Sequence, residues 1–156
     1  MNKTKNYSIT KSGAVILEGG ANRGVFTAGA LDFLMEQEYY IPHVIGVSAG
    51  ACNALDYVSG QIGRTRDCMI VTEEKNRYIN RNIKEIVEKK GLLDMDMVFD
   101  RYPNEVFPFD FEAYFRSPQT CEMVVTNCET GRAEYLDDRT SRERLMAIGR
   151  ASSSMP

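Results

Sequence analysis

Short apolar runs alternate with stretches of helical periodicity at the start of the chain. Residues 14–17 form a continuous apolar run that ends in a Glu-Gly-Gly sequence, which is typical of a buried strand leading into a tight loop. From Gly24 the apolar positions have helical spacing and predict a helix packed on a sheet. A second strand over residues 44–47 and a second helix over residues 49–57 repeat this arrangement. Two strand-to-helix units predict an α/β fold with a mainly parallel sheet.

A third amphipathic stretch, residues 72–90, predicts a surface helix. Charged residues occupy many of its positions, and Gly91 follows at the point where a glycine often ends a helix. The apolar residues that share one face of this predicted helix are Ile79, Ile83, Ile86 and Val87.

Residues 91–117 break the periodic pattern and hold five of the seven phenylalanines. Two interpretations compete for this segment. The favoured one is an irregular connection whose aromatic side chains fill gaps in the core, and the other is a mobile apolar cover over a cleft that accepts lipid. The phenylalanines concerned are Phe99, Phe107, Phe109, Phe111 and Phe115.

The C-terminal part of the sequence predicts two strands and a helix. Residues 123–126 predict a third strand, residues 133–136 follow a turn as a short fourth strand, and residues 142–148 predict a last helix. At the other end, polar residues 1–12 are expected to form a frayed leader. A chain of 156 residues is expected to form a single domain with one core.

Composition and charge narrow the classes of function. With 22 acidic residues against 19 basic ones the net charge is −3, so binding to nucleic acid is not expected. The four cysteines form no C-x-x-C pair and the N-terminus lacks the apolar core of a signal peptide, so we expect reduced thiols in the cytoplasm. No apolar stretch is long enough to span a bilayer, and any contact with membranes is expected to be peripheral.

The strongest chemical signal is a Gly-x-Ser-x-Gly sequence at residues 46–50, between a predicted strand and a predicted helix. A sharp turn there would crowd the positions on either side of a nucleophile, so these positions need small residues, and Gly46 and Gly50 occupy them. The turn would project the Ser48 hydroxyl at the start of the helix. The free N–H groups at that point, including that of Ala49, can stabilise an oxyanion. The alternative is that the small residues only allow close packing of the helix on the strand.

A second glycine-rich segment, residues 19–24, follows the first predicted strand. Its glycines allow backbone N–H groups to face a cleft, which suits a phosphate or an oxyanion. A phosphate loop would need a lysine, and a dinucleotide loop would need glycine in place of Ala21, so an oxyanion is favoured. The alternative is a tight turn that needs positive φ. Two loops at the carboxyl ends of neighbouring strands favour one shared site.

The single histidine, His43, can be tested as the partner of Ser48. It lies five residues earlier on the same extended run, so the two Cα atoms are expected to be about 16 Å apart. A Ser-His-Asp arrangement within the chain is therefore excluded, and a carboxylate or a lysine remains as the activating group. One histidine also cannot build a histidine-rich metal site, and we expect neither a metal nor another cofactor.

The two motifs, in this order and spacing, resemble the patatin-like phospholipase family, and the resemblance runs over nearly the whole chain. It includes Thr130-Gly131 and the Ala-Ser-Ser-Ser-Met-Pro sequence at residues 151–156. The resemblance implies a three-layer α/β/α fold. It also implies that acyl esters of lipids are hydrolysed by a Ser-Asp dyad that needs no histidine.

By position, the resemblance implies that Ser48 is the nucleophile of this dyad. It implies that the backbone donors of an oxyanion hole are Gly19, Gly20 and Ala21, and that Arg23 is the basic residue of the loop. Ala21 stands where a third glycine is commoner in the family. The backbone donor is kept, although a substrate would approach it less easily.

The family's aspartate lies in an Asp-Gly-Gly or Asp-Gly-Ala motif, and no Asp of this chain precedes a Gly. We therefore expect the sequence to be the first part of a longer lipid acyl hydrolase. These 156 residues alone are expected to be inactive, unless a carboxylate such as Asp137 or Asp138, or a partner chain, acts as base. The alternative function is a non-catalytic α/β module that binds an anionic or acyl ligand at the glycine loop.

Overall fold

A computed structural model describes residues 12–88 and 91–154 of the protein. Within them, four strands form one sheet in the order β1-β2-β3-β4. The strands are β1 (Ala14–Leu17), β2 (His43–Gly46), β3 (Thr120–Thr126) and β4 (Ala133–Leu136). The first three strands are parallel and β4 runs antiparallel to β3, so the predicted α/β class with a mainly parallel sheet is confirmed.

The helices alternate with the strands along the first half of the chain and follow them at its end. The helices are α1 (Gly24–Glu36), α2 (Ala49–Ser59), α3 (Arg64–Met69), α4 (Ile83–Glu88), a π-helix (Met97–Val106), α5 (Phe111–Arg116) and α6 (Arg142–Ser153). The predicted helices α1, α2 and α6 are present, and α6 extends five residues further than predicted. The predicted leader, apart from Ser12, lies outside the described residues.

Helix α2 is the centre of the core. Every residue of α2 except Cys52 is buried, and the helix contacts the first three strands as well as α1, α5 and α6. Alternate residues of the strands join the same apolar cluster, among them Leu17, Val44 and Met123. The opposite face of β1 carries Ile16, whose side chain is 76% exposed.

The long helix predicted over residues 72–90 is wrong in extent. Only α4 is helical in the regular sense, and it begins after Asn82, whose side-chain oxygen accepts a hydrogen bond from the Glu85 N–H at 2.9 Å. Upstream of Asn82 only Glu74–Asn76 form a short 3-10 helix, and Ile79 pairs with Leu93 of a later segment through an antiparallel bridge. Pairing with a segment distant in sequence therefore outweighs the helical spacing of the apolar residues.

Residues 91–117 are also more regular than the favoured prediction of an irregular connection. The segment contains the π-helix and α5, and the Asp110 side chain caps α5 by accepting a hydrogen bond from the Ala113 N–H at 2.9 Å. Phe99, Phe109 and Phe111 are buried, so the prediction that aromatic side chains of this segment fill the core is confirmed for these three.

Candidate active site

The two glycine-containing motifs meet at one edge of the sheet. Strands β1 and β2 are parallel with Leu17 paired to Gly46, so the loops that follow them lie side by side. Ser48 stands between β2 and α2 with φ 56° and ψ −122°, a conformation that is uncommon for a residue with a side chain. Such strain costs about 1–3 kcal/mol and persists only where the surrounding structure holds it. The turn predicted at Ser48 is therefore present and strained.

Two glycines make this turn sterically possible. A methyl group at Gly50 would overlap the Leu17 carbonyl oxygen and lie 2.7 Å from the Glu18 carbonyl oxygen. A methyl group at Gly46 would overlap the backbone of Gly50. The start of α2 thus touches the end of β1 directly, which explains why no larger residue fits on either side of Ser48.

The glycine loop lies against Ser48. A methyl group built on Gly19 would be 3.2 Å from the Ser48 Cβ and 3.8 Å from its Oγ. Gly20 and Ala21 have φ of 150° and 49°, so the loop turns through conformations that favour glycine. Ala21 adopts the left-handed conformation despite its side chain. The Arg23 guanidinium lies beside Gly20, since its Nε would be 3.2 Å from a methyl group there.

Several backbone donors in these loops are unused. The N–H groups of Gly19, Gly20, Ala21 and Ala49 have no hydrogen-bond acceptor within residues 12–88 and 91–154. The Ser48 hydroxyl likewise has no partner in this part of the chain, and Ser48 is only partly buried. Unpaired N–H groups at a helix start and in a glycine loop are an arrangement that can stabilise negative charge on a bound group.

Ser152, which the sequence analysis assigned no role, holds the strained turn in place. The Ser48 N–H donates to the Ser152 Oγ at 2.9 Å, and that hydroxyl donates to the Val124 carbonyl oxygen at 2.7 Å. Ser152 is buried in the last turn of α6, so one side chain connects α6, β3 and the Ser48 turn. Its position within the Ala-Ser-Ser-Ser sequence was the only signal that could have found it.

Replacing Ser152 with Ala is expected to slow covalent labelling of Ser48 about 5- to 150-fold, because an unpaired buried N–H costs about 1–3 kcal/mol. The measurement is the labelling rate of the intact protein with a fluorophosphonate at a temperature where both proteins are folded. Ser154→Ala is the control, since Ser154 is exposed and bonds only within α6, to the Arg150 carbonyl oxygen. Labelling of the Ser152→Ala protein at the unaltered rate would contradict a positioning role.

A cavity of about 500 Å³ opens beside Ser48. The glycine loop and the start of α2 form one end of it, with Gly20, Ala21, Arg23, Ser48 and Ala49 in the wall. Much of the remaining wall is apolar and comes from the segment that precedes and includes the π-helix. These residues are Leu93, Met95, Val98, Phe99, Tyr102 and Pro103. The phenylalanine-rich segment thus forms a wall of the cavity as well as part of the core.

Two cysteines, Cys52 and Cys68, also line the cavity. Both cysteines keep some solvent exposure, but desolvation in the cavity wall raises the pKa of Cys52 to about 11 and that of Cys68 to about 12. Burial likewise raises the pKa of Cys121, which lies in β3, to about 12, whereas Cys128 is exposed. The thiols that line the cavity are therefore protonated at neutral pH and are poor nucleophiles.

Alkylation with iodoacetamide at pH 8 is expected to modify Cys128 first. A thiol with a pKa of about 11 is ionised in about one molecule per thousand at pH 8, and the thiolate is the reactive form. Raising the pH to 9 should therefore increase the rate at Cys52 about tenfold. Peptide mass spectrometry follows each site separately, and modification of Cys52 or Cys68 as fast as Cys128 at pH 8 would contradict this ordering.

The histidine and two of the aspartates that could activate Ser48 are held elsewhere by other partners. His43 begins β2, at the opposite end of the strand from Ser48, and its Nε2 is 3.0 Å from the Glu122 Oε2. Asp137 lies near the same distant end, with its Oδ2 3.4 Å from the Cys121 N. Asp138 is held by Thr140 and Arg144, and these hydrogen bonds lower its pKa to about 2. Neither aspartate lines the cavity beside Ser48.

Asp56 is the one acidic side chain in the cavity wall among the described residues. It lies eight residues after Ser48 on α2, which corresponds to about 12 Å along the helix. Both of its carboxylate oxygens are bound, by Arg64 and by Thr65. Within the same described part of the chain, no three His, Cys, Asp or Glu side chains form a group that could hold a metal ion.

The fold and the site define an α/β protein with a Gly-x-Ser-x-Gly turn beside a glycine loop. The family model for patatin-like phospholipase matches residues 15–156, and the chain belongs to this family. It is 25% identical over 147 residues to the uncharacterized protein YjjU of Escherichia coli (strain K12). That match covers 92% of this chain and 40% of YjjU.

No helix within residues 12–88 and 91–154 is both long and apolar enough to cross a membrane.

Proposed function

We propose that the intact protein is a serine-dependent lipid acyl hydrolase, a phospholipase or esterase, with Ser48 as its nucleophile. The observation that carries this proposal is the Ser48 hydroxyl on its strained turn, between four N–H donors and a largely apolar cavity. Neither the hydroxyl nor these donors have a hydrogen-bond partner in the part of the chain that the structure describes. Membership in the patatin-like phospholipase family supports the same activity. The four free cysteines support a cytoplasmic location, and contact with lipid would be peripheral.

The proposed reaction passes through an acyl-enzyme. The Ser48 Oγ attacks the ester carbonyl carbon and its proton passes to a base, while the carbonyl oxygen gains the negative charge. The N–H groups of Gly19, Gly20, Ala21 and Ala49 then stabilise this oxyanion. The alcohol leaves with a proton, and water attacks the acyl-enzyme to release the acid and restore the serine. Arg23, at the mouth of the glycine loop, adds a positive charge near the same oxygen.

We propose an aspartate outside these 156 residues as the base of a Ser-Asp dyad. The placement of His43, Asp137 and Asp138 away from Ser48 supports this, as does the engagement of both Asp56 oxygens by Arg64 and Thr65. The 156 residues by themselves would then turn over esters slowly. The alternative, a non-catalytic module that binds an acyl or anionic ligand, differs in that Ser48 would never become acylated.

A fluorophosphonate probe tests this function directly. The intact protein is expected to take up one equivalent of the probe, and peptide mass spectrometry should place the adduct on Ser48. Ser48→Ala should abolish labelling, whereas Ser154→Ala, which alters an exposed serine directly after α6, should leave labelling unchanged. Labelling that persists in the Ser48→Ala protein would refute the assignment of the nucleophile.

A further inference from the structure

The cavity runs along one face of α2, away from Ser48. Cys52, Leu55 and Asp56 line it at spacings of four, seven and eight residues after Ser48, which are the positions that share a helix face. Eight residues of helix correspond to about 12 Å. The cavity is therefore elongated, with the Ser48 hydroxyl near one end and the Asp56 carboxylate near the other.

Between these ends the wall is apolar. Leu55 of α2 shares the cavity wall with apolar side chains from four other parts of the chain. These are Met69, Val98, Phe99, Phe109 and Met146. An extended alkyl chain with its ester carbonyl at Ser48 matches this shape and surface, a use of the cavity that rests on the proposed function.

The far end of the cavity is polar, which an alkyl chain alone does not explain. Arg64 and Thr65 line this end together with Asp56. The Arg64 Nη1 donates to the Asp56 Oδ1 at 2.8 Å, and the Thr65 hydroxyl donates to the Oδ2 at 2.5 Å. The Asp56 and Arg64 side chains are only 5% and 15% exposed, so this is a buried ion pair in the wall of a largely apolar cavity.

Two of the three nitrogens of the Arg64 guanidinium, Nε and Nη1, donate hydrogen bonds within the protein. Its Nε donates to the Phe107 carbonyl oxygen at 2.9 Å, and the group lies over the Phe109 ring. Its Nη2 has no hydrogen-bond partner among residues 12–88 and 91–154. Asp56, in contrast, has both oxygens occupied. The polar end therefore offers a positively charged donor and is poorly suited to the methyl end of a saturated chain.

We propose that the Arg64 Nη2 binds a hydrogen-bond acceptor, a hydroxyl or a carboxylate, at the distal end of the substrate's acyl chain. A carbon–carbon bond of about 1.5 Å advances an extended chain by about 1.25 Å, so about 12 Å takes roughly nine or ten carbons. The preferred acyl group is thus a medium-length chain that is oxygenated at its far end. Arg64 acts in this way as a determinant of specificity, distant from the reacting carbonyl.

Binding of three esters to the intact Ser48→Ala protein tests this inference without turnover. The esters are methyl decanoate, methyl 10-hydroxydecanoate and monomethyl decanedioate, and each competes with the fluorescent probe Nile red. The two oxygenated esters are expected to bind about 10- to 100-fold more tightly than methyl decanoate, which is the gain from one hydrogen bond to a charged group. Monomethyl hexanedioate, which is too short to reach Arg64, should show no such gain over methyl hexanoate.

Arg64→Lys keeps the positive charge beside Asp56 and removes the second donor edge, so the protein is expected to fold and to lose the preference for oxygenated esters. Arg66→Lys is the matched control, because Arg66 lies on the same helix, is exposed and pairs with Asp67. Equal affinity for the three decanoyl esters, or a preference that survives Arg64→Lys, would overturn the inference.

The outcomes for the cavity and for the nucleophile can be told apart. A selective cavity in a protein whose Ser48 is never labelled would refute the hydrolase and leave the Arg64 contact standing. A labelled Ser48 beside a cavity without selectivity would refute the Arg64 contact alone.

Discussion

Ser48→Ala is expected to lower ester turnover by the intact protein about 10⁴- to 10⁶-fold, since removal of a catalytic serine nucleophile typically has effects of this size. No other group replaces the lost hydroxyl, because the cysteines that line the same cavity have pKa values of about 11 and 12 and are protonated. The measurement is steady-state hydrolysis of p-nitrophenyl esters by both proteins. The oxyanion donors remain in the variant and account for any residual rate.

Two comparisons make this result specific. Ser154→Ala should retain the activity of the unaltered protein within about twofold, because the substitution removes only an exposed hydroxyl and its local bond to the Arg150 carbonyl oxygen. The 156-residue chain assayed by itself should be several orders of magnitude slower than the intact protein, since it lacks the proposed base. Brisk hydrolysis by that chain would show that a carboxylate within it, or a partner chain, activates Ser48.

Gly50→Ala is expected to destabilise the protein by more than about 3 kcal/mol, the upper range for overpacking of a rigid site. The added methyl group would overlap the Leu17 carbonyl oxygen and lie 2.7 Å from the Glu18 carbonyl oxygen. Both of these oxygens belong to the backbone and cannot rotate away. Either α2 or β1 must move, and both carry the core. Thermal unfolding followed by circular dichroism should show a large fall in Tm or no cooperative transition.

Gly29→Ala is the matched control for this substitution. Gly29 lies within α1, and a methyl group there would meet nothing within 4 Å. Because alanine favours a helix over glycine by about 1 kcal/mol, this variant should be slightly more stable than the unaltered protein. A Gly50→Ala protein as stable as the unaltered one would mean that the start of α2 and the end of β1 do not touch.

The elements that could be predicted from the sequence are those whose signals are local. The apolar runs before Gly19 and before Ser48 predicted β1 and β2, and helical spacing from Gly24 predicted α1. The same reasoning failed for residues 72–90, where helical spacing was present but pairing of Ile79 with Leu93 decided the backbone. Periodicity describes one segment at a time and contains no information on its partner.

In the candidate site, too, only the residues with a local signal could be predicted from the sequence. Ser48 and the glycines beside it could be singled out because a sharp turn restricts the residues within it. Ser152 could not be assigned a role, since it contacts Ser48 across 104 positions of the chain. The pairing of Asp56 with Arg64 could not be predicted either, because a buried ion pair between two helices leaves no periodic pattern in the sequence.

The sequence alone determined the strand-to-helix units, the glycine-bounded serine and the exclusion of His43 as its partner, because these follow from the short-range geometry of the chain. The tertiary structure decided what surrounds the serine: the hydroxyl of Ser152 bonded to its N–H group, the N–H donors of the glycine loop and the elongated cavity. Such contacts depend on how separate segments pack, and close packing is a property of the whole core rather than of any one segment.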